Sequence, residues 1–206
     1  MYSNKSYSSY ALSSRRATSE QGDGWSLEQV AGRMVEISGE GATAPLTLAL
    51  GLVLQAQQQN EPVVWITRDD SLFYPPDAAE GGVDLDILTI VRVPDNRAVA
   101  RAADQLVRFG AFGLVVLDLG AQPDLPVPLQ TRLVGLASKH QTALLCLTTK
   151  EDEAPSLGPL VSLRVTARRE RLADDRFMCE LTVLKDKRRG PTWRHMEICH
   201  GPAGLR

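Results

Sequence analysis

Apolar residues along the chain follow two periodicities, one typical of buried strands and the other typical of amphipathic helices. Short β-branched or continuously apolar runs predict five strands, at residues 34–38, 63–67, 87–93, 114–117 and 142–148. Apolar positions at helical spacing predict the intervening helices, at residues 46–59, 96–110 and 129–139. Strands that alternate with helices predict an α/β fold with a mostly parallel sheet flanked by helices.

Local signals mark several boundaries of these elements. Ser26 is a suitable N-cap for a short amphipathic segment at residues 25–33, and Asp95 or Asn96 can cap the helix that ends at Gly110. Proline and glycine pairs between residues 74 and 82 predict a loop.

The pattern changes after residue 159, where strand-like runs follow one another without helices between them. These runs lie at residues 160–166, 177–185 and 193–199. They predict antiparallel strands that extend one edge of the sheet.

Residues 1–24 have no apolar periodicity and are rich in serine and tyrosine, which predicts a flexible tail or a segment that orders on a partner. The rest of the chain, residues 25–206, has a size and an apolar fraction suited to one domain, since 43% of all 206 residues are hydrophobic. We find neither a membrane-span-length apolar run nor a secretory signal, and we expect a cytoplasmic protein. Cys146, Cys179 and Cys199 lie in strand-like runs and are interpreted as buried thiols in a reducing compartment.

Charge is unevenly distributed along the chain. Residues 160–206 contain 11 Lys/Arg and 6 Asp/Glu, whereas residues 25–159 contain 9 Lys/Arg and 17 Asp/Glu. The C-terminal part can therefore contact an acidic partner or a phosphate backbone.

Between the first strand and the first long helix lies a glycine-rich loop with the frame of a phosphate-binding loop. The motif G-x-x-x-x-G-K-[ST] would begin at Gly39, but Ala44, Pro45 and Leu46 follow Thr43 where glycine, lysine and a hydroxyl residue are required. Proline supplies neither an ammonium group nor a backbone donor, and leucine cannot hold Mg²⁺. Each hydrogen bond lost to a charged ligand costs about 1.5–3 kcal/mol, so we expect no tight ATP binding, no cofactor, no metal and no enzymatic activity.

A series of segments in the right order resembles the core of the RecA family of recombinases. The segments are Val35-Glu36-Ile37 with the helix after it, and residues 63–74, 82–86, 114–118, 160–169, 182–187 and 197–204. The resemblance covers roughly residues 26–204 and implies a RecA-like fold.

The same resemblance implies roles for single residues, and departures from them. Asp69 would lie near the position of the catalytic glutamate, and Asp118 would end the Walker B strand, either as a vestigial metal residue or as a strand-end residue bonded to nearby backbone. Thr148 and Thr149 stand where the family senses the outer phosphate with Asn-Gln. These departures predict that ATP hydrolysis is absent.

The resemblance also bears on contacts with DNA and with neighbouring subunits. The two segments that correspond to DNA-facing loops, residues 120–128 and 150–158, are short, and the second is acidic, which disfavours RecA-like DNA binding. In RecA-like filaments a Lys-x-Lys pair reaches the neighbour's ATP, so Lys185 and Lys187 are candidates for contact with another protein, together with Arg188 and Arg189. A solvated basic turn is the alternative.

A third interpretation is weak, nonspecific nucleic-acid contact by this turn together with residues of a preceding strand. The candidates are Arg168, Arg169 and Arg171.

Among RecA relatives without ATPase activity, the chain most resembles the ImuA group of bacterial mutagenesis proteins. This resemblance implies a noncatalytic role in damage-induced translesion synthesis, with RecA and an inactive Y-family polymerase-like protein, ImuB, as partners. A subunit with one compatible face would cap or modulate RecA filaments. A cell-division inhibitor of the SulA type and an atypical nucleotide-dependent repair ATPase are the alternatives.

Overall fold

Helices and strands alternate along the chain up to residue 148, and strands alone follow. The computed structural model describes residues 24–39, 43–71, 73–173 and 176–200, so the predicted tail lies outside the described residues except for Gly24. In chain order the elements are α1 Leu27–Val30, β1 Met34–Ser38, α2 Thr43–Gln58, β2 Val63–Arg68, α3 Pro75–Glu80, a 3₁₀ helix Leu85–Ile87, β3 Leu88–Val93, α4 Asn96–Phe109, β4 Leu114–Gly120, α5 Val127–His140, β5 Ala143–Thr148, β6 Leu163–Ala173, β7 Arg176–Asp186 and β8 Arg194–His200.

All eight strands form one sheet, in the order β3-β2-β4-β5-β1-β6-β7-β8. Neighbouring strands from β3 through β6 are parallel, and the pairs β6–β7 and β7–β8 are antiparallel. The predicted α/β fold with an antiparallel C-terminal edge is therefore confirmed. β6 itself pairs in parallel with β1, so the antiparallel part begins one strand later than the sequence predicts.

Helices cover both faces of the parallel part of the sheet. α1, α2 and α3 pack on one face around Ile37, Trp65 and Leu145, and α4 and α5 pack on the other face around Ile66 and Leu117. The central strands are buried on both faces, which explains their continuously apolar sequences. Within the described part of the chain, no helix combines the length and the apolar character needed to cross a membrane.

Helix boundaries follow capping chemistry. The Asp95 carboxylate accepts a hydrogen bond from the amide of Ala98 (2.7 Å), and α4 ends at Gly110 in the left-handed conformation (φ 66°), as predicted. The predicted loop at residues 74–82 instead contains helix α3. Pro75 and Pro76 occupy its first turn, where a missing N–H costs no intrahelical hydrogen bond.

A buried ion pair joins the start of β1 to the end of β7. Arg33 Nη2 lies 2.6 Å from Asp186 Oδ1, and both side chains are buried. Asp186 also accepts hydrogen bonds from the amide of Arg188 (2.8 Å) and from Trp193 Nε1 (3.1 Å). Burial opposes ionisation of Asp186, but these donors and Arg33 outweigh it and lower the pKa of the carboxyl below its usual value.

We expect Asp186→Ala to lower the free energy of unfolding by about 3–5 kcal/mol, because it leaves the Arg33 guanidinium buried without its carboxylate. Urea unfolding measures the change. Asp104→Ala is the control, since its partners Arg108 and Arg132 are 57% and 52% exposed, and it should cost about 0–1 kcal/mol. Equal losses in the two variants would contradict the assigned role of the buried pair.

Candidate functional site

The carboxyl ends of β1, β2, β4 and β5 meet at one edge of the sheet, beside the first turn of α2. Ligands of open α/β sheets bind at this edge. A cavity of about 190 Å³ lies there, and its walls include Pro45, Leu46, Arg68, Asp70, Ser71, Asp118 and Thr148. The structure thus places Pro45 and Leu46 of the predicted loop around one cavity with Asp118.

Gly39 and Pro45 set the backbone path at the start of α2. A Cβ on Gly39 would lie 2.6 Å from the carbonyl oxygen of Ala167 and 3.1 Å from Pro45 Cγ, so only glycine fits between them. The helix begins at Thr43, three residues before the predicted start, and Pro45 lies inside its first turn. Amides of the first turn have no intrahelical acceptor, which is why the helix tolerates this proline.

The Asp118 carboxylate is engaged by neighbouring hydroxyls. Thr67 Oγ1 donates to Asp118 Oδ2 at 2.9 Å, and Ser71 Oγ donates to the same oxygen. The hydroxyl of Ser71 also accepts from the amide of Phe73 (3.0 Å). Asp118 is therefore hydrogen-bonded to hydroxyl groups at and just after the end of β2. This is close to the predicted strand-end role, but the donors are side-chain hydroxyls rather than backbone amides.

Charged groups of the described cavity wall are two carboxylates and one guanidinium. Arg68 Nε pairs with Asp70 Oδ1 at 3.0 Å, and the Arg68 guanidinium packs over Gly120. Asp69 is exposed beyond the end of β2 and is absent from the described wall, whereas Asp70 belongs to it. Sequence reasoning missed Arg68, Asp70 and Ser71, although their position directly after a buried strand was the available signal.

A second charge cluster fixes the segment at residues 150–158. Glu36 on β1 is fully buried and accepts hydrogen bonds from the Leu157 amide (2.9 Å) and Ser156 Oγ (3.1 Å). Lys150 forms an ion pair with the same carboxylate, and Arg164 Nη2 donates to the carbonyl oxygens of Glu151 and Asp152. This segment is held to the sheet by charge, a role of Glu36 that sequence reasoning missed.

A side chain of α5 links the segment at residues 150–158 to the loop that precedes α5. Gln130 is buried, and its Nε2 donates to the carbonyl oxygens of Leu125 (2.7 Å) and Leu157 (3.2 Å). One side chain thus bridges the segments that correspond to the two DNA-facing loops.

The basic turn, residues 185–189, lies at the end of the strands opposite the cavity, where β6 begins and β7 ends. Lys185 is half-buried, and burial together with nearby Lys187 and Arg164 lowers its pKa, while Glu36 opposes this shift. Lys187 is exposed and its Nζ donates to the carbonyl oxygen of Pro159 (2.7 Å). This turn and the cavity of the same chain lie at opposite strand ends.

The remaining residues of the basic turn differ in exposure. Arg188 is exposed, and the Arg189 guanidinium lies over the ring of Trp193, 5.0 Å from its centroid. Buried Asp186 holds the turn in place from its centre.

Arg168 and Arg169 lie in the middle of β6, several residues from the basic turn, so the six candidate basic residues form two separate groups. Arg168 Nη2 pairs with Asp152 Oδ2 (2.6 Å), and the Arg169 guanidinium lies 4.1 Å from the centroid of the Phe177 ring. Together with Arg171 they line a groove of about 730 Å³.

Comparison with known proteins agrees with this fold. The RecA N-terminal domain family matches residues 23–137, more than half of the chain, and the chain belongs to that family. Protein RecA of Bifidobacterium breve is 36% identical over 126 residues, which cover 55% of this chain and 32% of that protein. Protein RecA of Fusobacterium nucleatum subsp. nucleatum is 30% identical over 148 residues, which cover 62% of this chain and 39% of that protein. The matches therefore span only about a third of the length of these relatives.

We expect Glu36→Gln to lower the free energy of unfolding by about 3–5 kcal/mol, since it leaves Lys150 without its buried counter-charge. The Leu157 amide should exchange its hydrogen faster, because glutamine has one acceptor oxygen where the Glu36 carboxylate has two, and its NH₂ group cannot accept a hydrogen bond. Hydrogen exchange and urea unfolding measure both effects. Glu153→Gln is the matched control, as this exposed glutamate lies in the same segment. Unchanged exchange at Leu157 in Glu36→Gln would refute the anchoring role.

Proposed function

We propose that this chain is a noncatalytic RecA-like accessory protein of damage-induced, error-prone translesion DNA synthesis, with a role like that of the ImuA group. The observation on which the proposal depends is the first turn of α2. Pro45 and Leu46 line the cavity where a nucleotide-binding loop presents lysine and a hydroxyl, and Ala44 precedes them in place of the glycine.

The chemistry of the cavity supports a noncatalytic role. Pro45 has no N–H to donate, and the Asp118 carboxylate already accepts hydrogen bonds from Thr67 and Ser71. The Arg68 guanidinium is paired with Asp70, so the described wall presents a net negative charge to a polyphosphate. Each missing hydrogen bond to a charged ligand costs about 1.5–3 kcal/mol, and the losses act together against triphosphate binding.

The position of the basic turn supports action through another protein. Lys185 and Lys187 lie at the strand ends opposite the cavity, so they lie away from the cavity of their own chain. Asp186 between them is fixed by Arg33, which presents the turn in one orientation. RecA and an ImuB-like polymerase-family protein are the proposed partners in the cytoplasm. A chain with one RecA-compatible face and no nucleotide would end a filament instead of extending it.

Calorimetric titration with ATP and Mg²⁺ tests the noncatalytic part of the proposal. We expect no heat of binding in the micromolar range, because the cavity lacks the cation and the metal-anchoring hydroxyl of the motif. Micromolar affinity would replace the proposal with an atypical nucleotide-dependent ATPase.

Mixing the protein with RecA tests the filament role. We expect shorter filaments and reduced DNA-stimulated ATPase activity of RecA, and a weaker effect of the Lys185→Ala/Lys187→Ala double variant. Arg176→Ala/Arg194→Ala is the control, since it removes the same charge from exposed positions of β7 and β8 and should act like the unmodified protein. No change in RecA filaments at equimolar or higher ratios would reject capping, and binding to the tubulin-like division protein instead would establish a SulA-type role.

A further inference from the structure

The outer surface of α4 and α5 is strongly basic, although the N-terminal part of the chain is acidic as a whole. Its exposed cations are Arg97, Arg101 and Arg108 on α4, and Arg132 and Lys139 on α5. We name these five residues, with Gly135 among them, the α4–α5 face. Arg97, Arg101 and Arg108 recur at helical spacing, so they form one row along α4.

Asp104, the acidic residue within the two helices, is neutralised by two of these arginines. Its carboxylate pairs with Arg108 Nη2 at 2.8 Å and with Arg132 Nε at 2.7 Å, and the Asp104 side chain is only 16% exposed. Arg97, Arg101 and Lys139 form no ion pair with any described residue. The α4–α5 face therefore has an excess of unpaired positive charge.

Polar and small residues separate the cations of the α4–α5 face. Large exposed apolar side chains occur only at the ends of the two helices, Phe109 at the end of α4 and Val127 at the start of α5. Protein–protein interfaces depend on central aromatic and apolar anchors. A basic surface without such anchors suits a phosphate backbone, which is bound by charge.

Gly135 leaves the backbone of α5 accessible within the α4–α5 face. It lies inside α5, where glycine disfavours a helix, and a Cβ at this position would meet no atom within 4 Å. Packing within the chain therefore does not require glycine here. An exposed helix backbone between Arg132 and Lys139 permits close approach of another molecule.

We propose that the α4–α5 face binds the backbone of duplex DNA. The row from Arg97 to Arg108 spans about 16 Å at the rise of an α-helix, which lets its three arginines contact phosphates along one strand. Neighbouring helices lie about 8–10 Å apart, so the cations of α5 form a second row. Two parallel rows of cations can contact the two phosphate strands on either side of a groove.

The distribution of acidic residues gives this binding an orientation. Residues 69–86 contain six Asp/Glu and no Lys/Arg. They surround α3, which packs on the other face of the sheet from α4 and α5. DNA held on the α4–α5 face therefore keeps the acidic side of the protein directed away from the phosphates.

Fluorescence anisotropy with a labelled 30-base-pair duplex tests the proposal, without RecA or nucleotide in the assay. We expect nonspecific binding with a slope of log K against log salt of about −4, because the five cations less the charge of Asp104 leave about four charges to neutralise phosphates. Arg97→Ala/Arg101→Ala should reduce the slope by about two and weaken binding roughly tenfold at low salt. Arg176→Ala/Arg194→Ala removes the same charge elsewhere and should leave the slope unchanged.

Three outcomes of this titration would overturn the proposal. The first is equal weakening by both double variants. The second is tighter binding of the single strand or of duplex RNA than of duplex DNA. The third is competition by poly-L-glutamate as effective as competition by unlabelled duplex, which would identify an acidic protein as the partner.

A glycine substitution separates loss of binding from loss of folding. Gly135→Glu replaces a poor helix former by a good one, so the Tm should not fall, while the added carboxylate should weaken DNA binding at least severalfold. Gly135→Ala should show the same or a higher Tm and keep its affinity for the duplex. Wild-type affinity in Gly135→Glu would exclude the α4–α5 face as the DNA site.

Discussion

A carboxylate inside a fully buried strand has to be compensated, and this requirement shapes the cavity edge of the sheet. Glu36 is flanked on β1 by buried Val35 and Ile37, and its counter-charges come from Lys150 and Arg164. Because the carboxylate also accepts the Leu157 amide, the segment at residues 150–158 follows the position of β1. A buried ion of this kind is costly to leave unpaired, so the segment is fixed as long as the sheet is intact.

The frame of the phosphate-binding loop persists because its architecture and its chemistry rest on different atoms. The architecture needs a glycine beside the Ala167 carbonyl oxygen and a helix that starts shortly after it, and Gly39 and Pro45 satisfy both needs. The chemistry needs an ammonium group, free amides and a hydroxyl on the same turn. Pro45 and Leu46 lack these groups, while α2 packs against the sheet through buried residues such as Leu48 and Leu52.

The sequence predicts those parts of the molecule that depend on local periodicity and capping. The parallel strands, the Asp95 cap and the Gly110 terminus are confirmed, because each signal lies within a few residues. The proline pair predicts a loop where α3 forms. Two adjacent prolines usually indicate a turn, but they are also compatible with the first turn of a helix, where Pro75 and Pro76 lie.

Other features depend on contacts between residues that are distant in sequence. The pairing of Arg33 with Asp186 spans 153 positions and has no local signature. The α4–α5 face has no signature in the charge balance of residues 25–159, because that segment also contains the acidic residues around α3. Side-chain position on a helix, rather than residue counts, determines such a surface.

The Lys-Asp-Lys sequence at residues 185–187 couples surface recognition to the interior of the protein. Its central residue is buried against Arg33, whereas the lysines on either side are accessible to different degrees. A genetic screen for lost partner interaction would therefore recover substitutions at Arg33, a residue that no partner can touch.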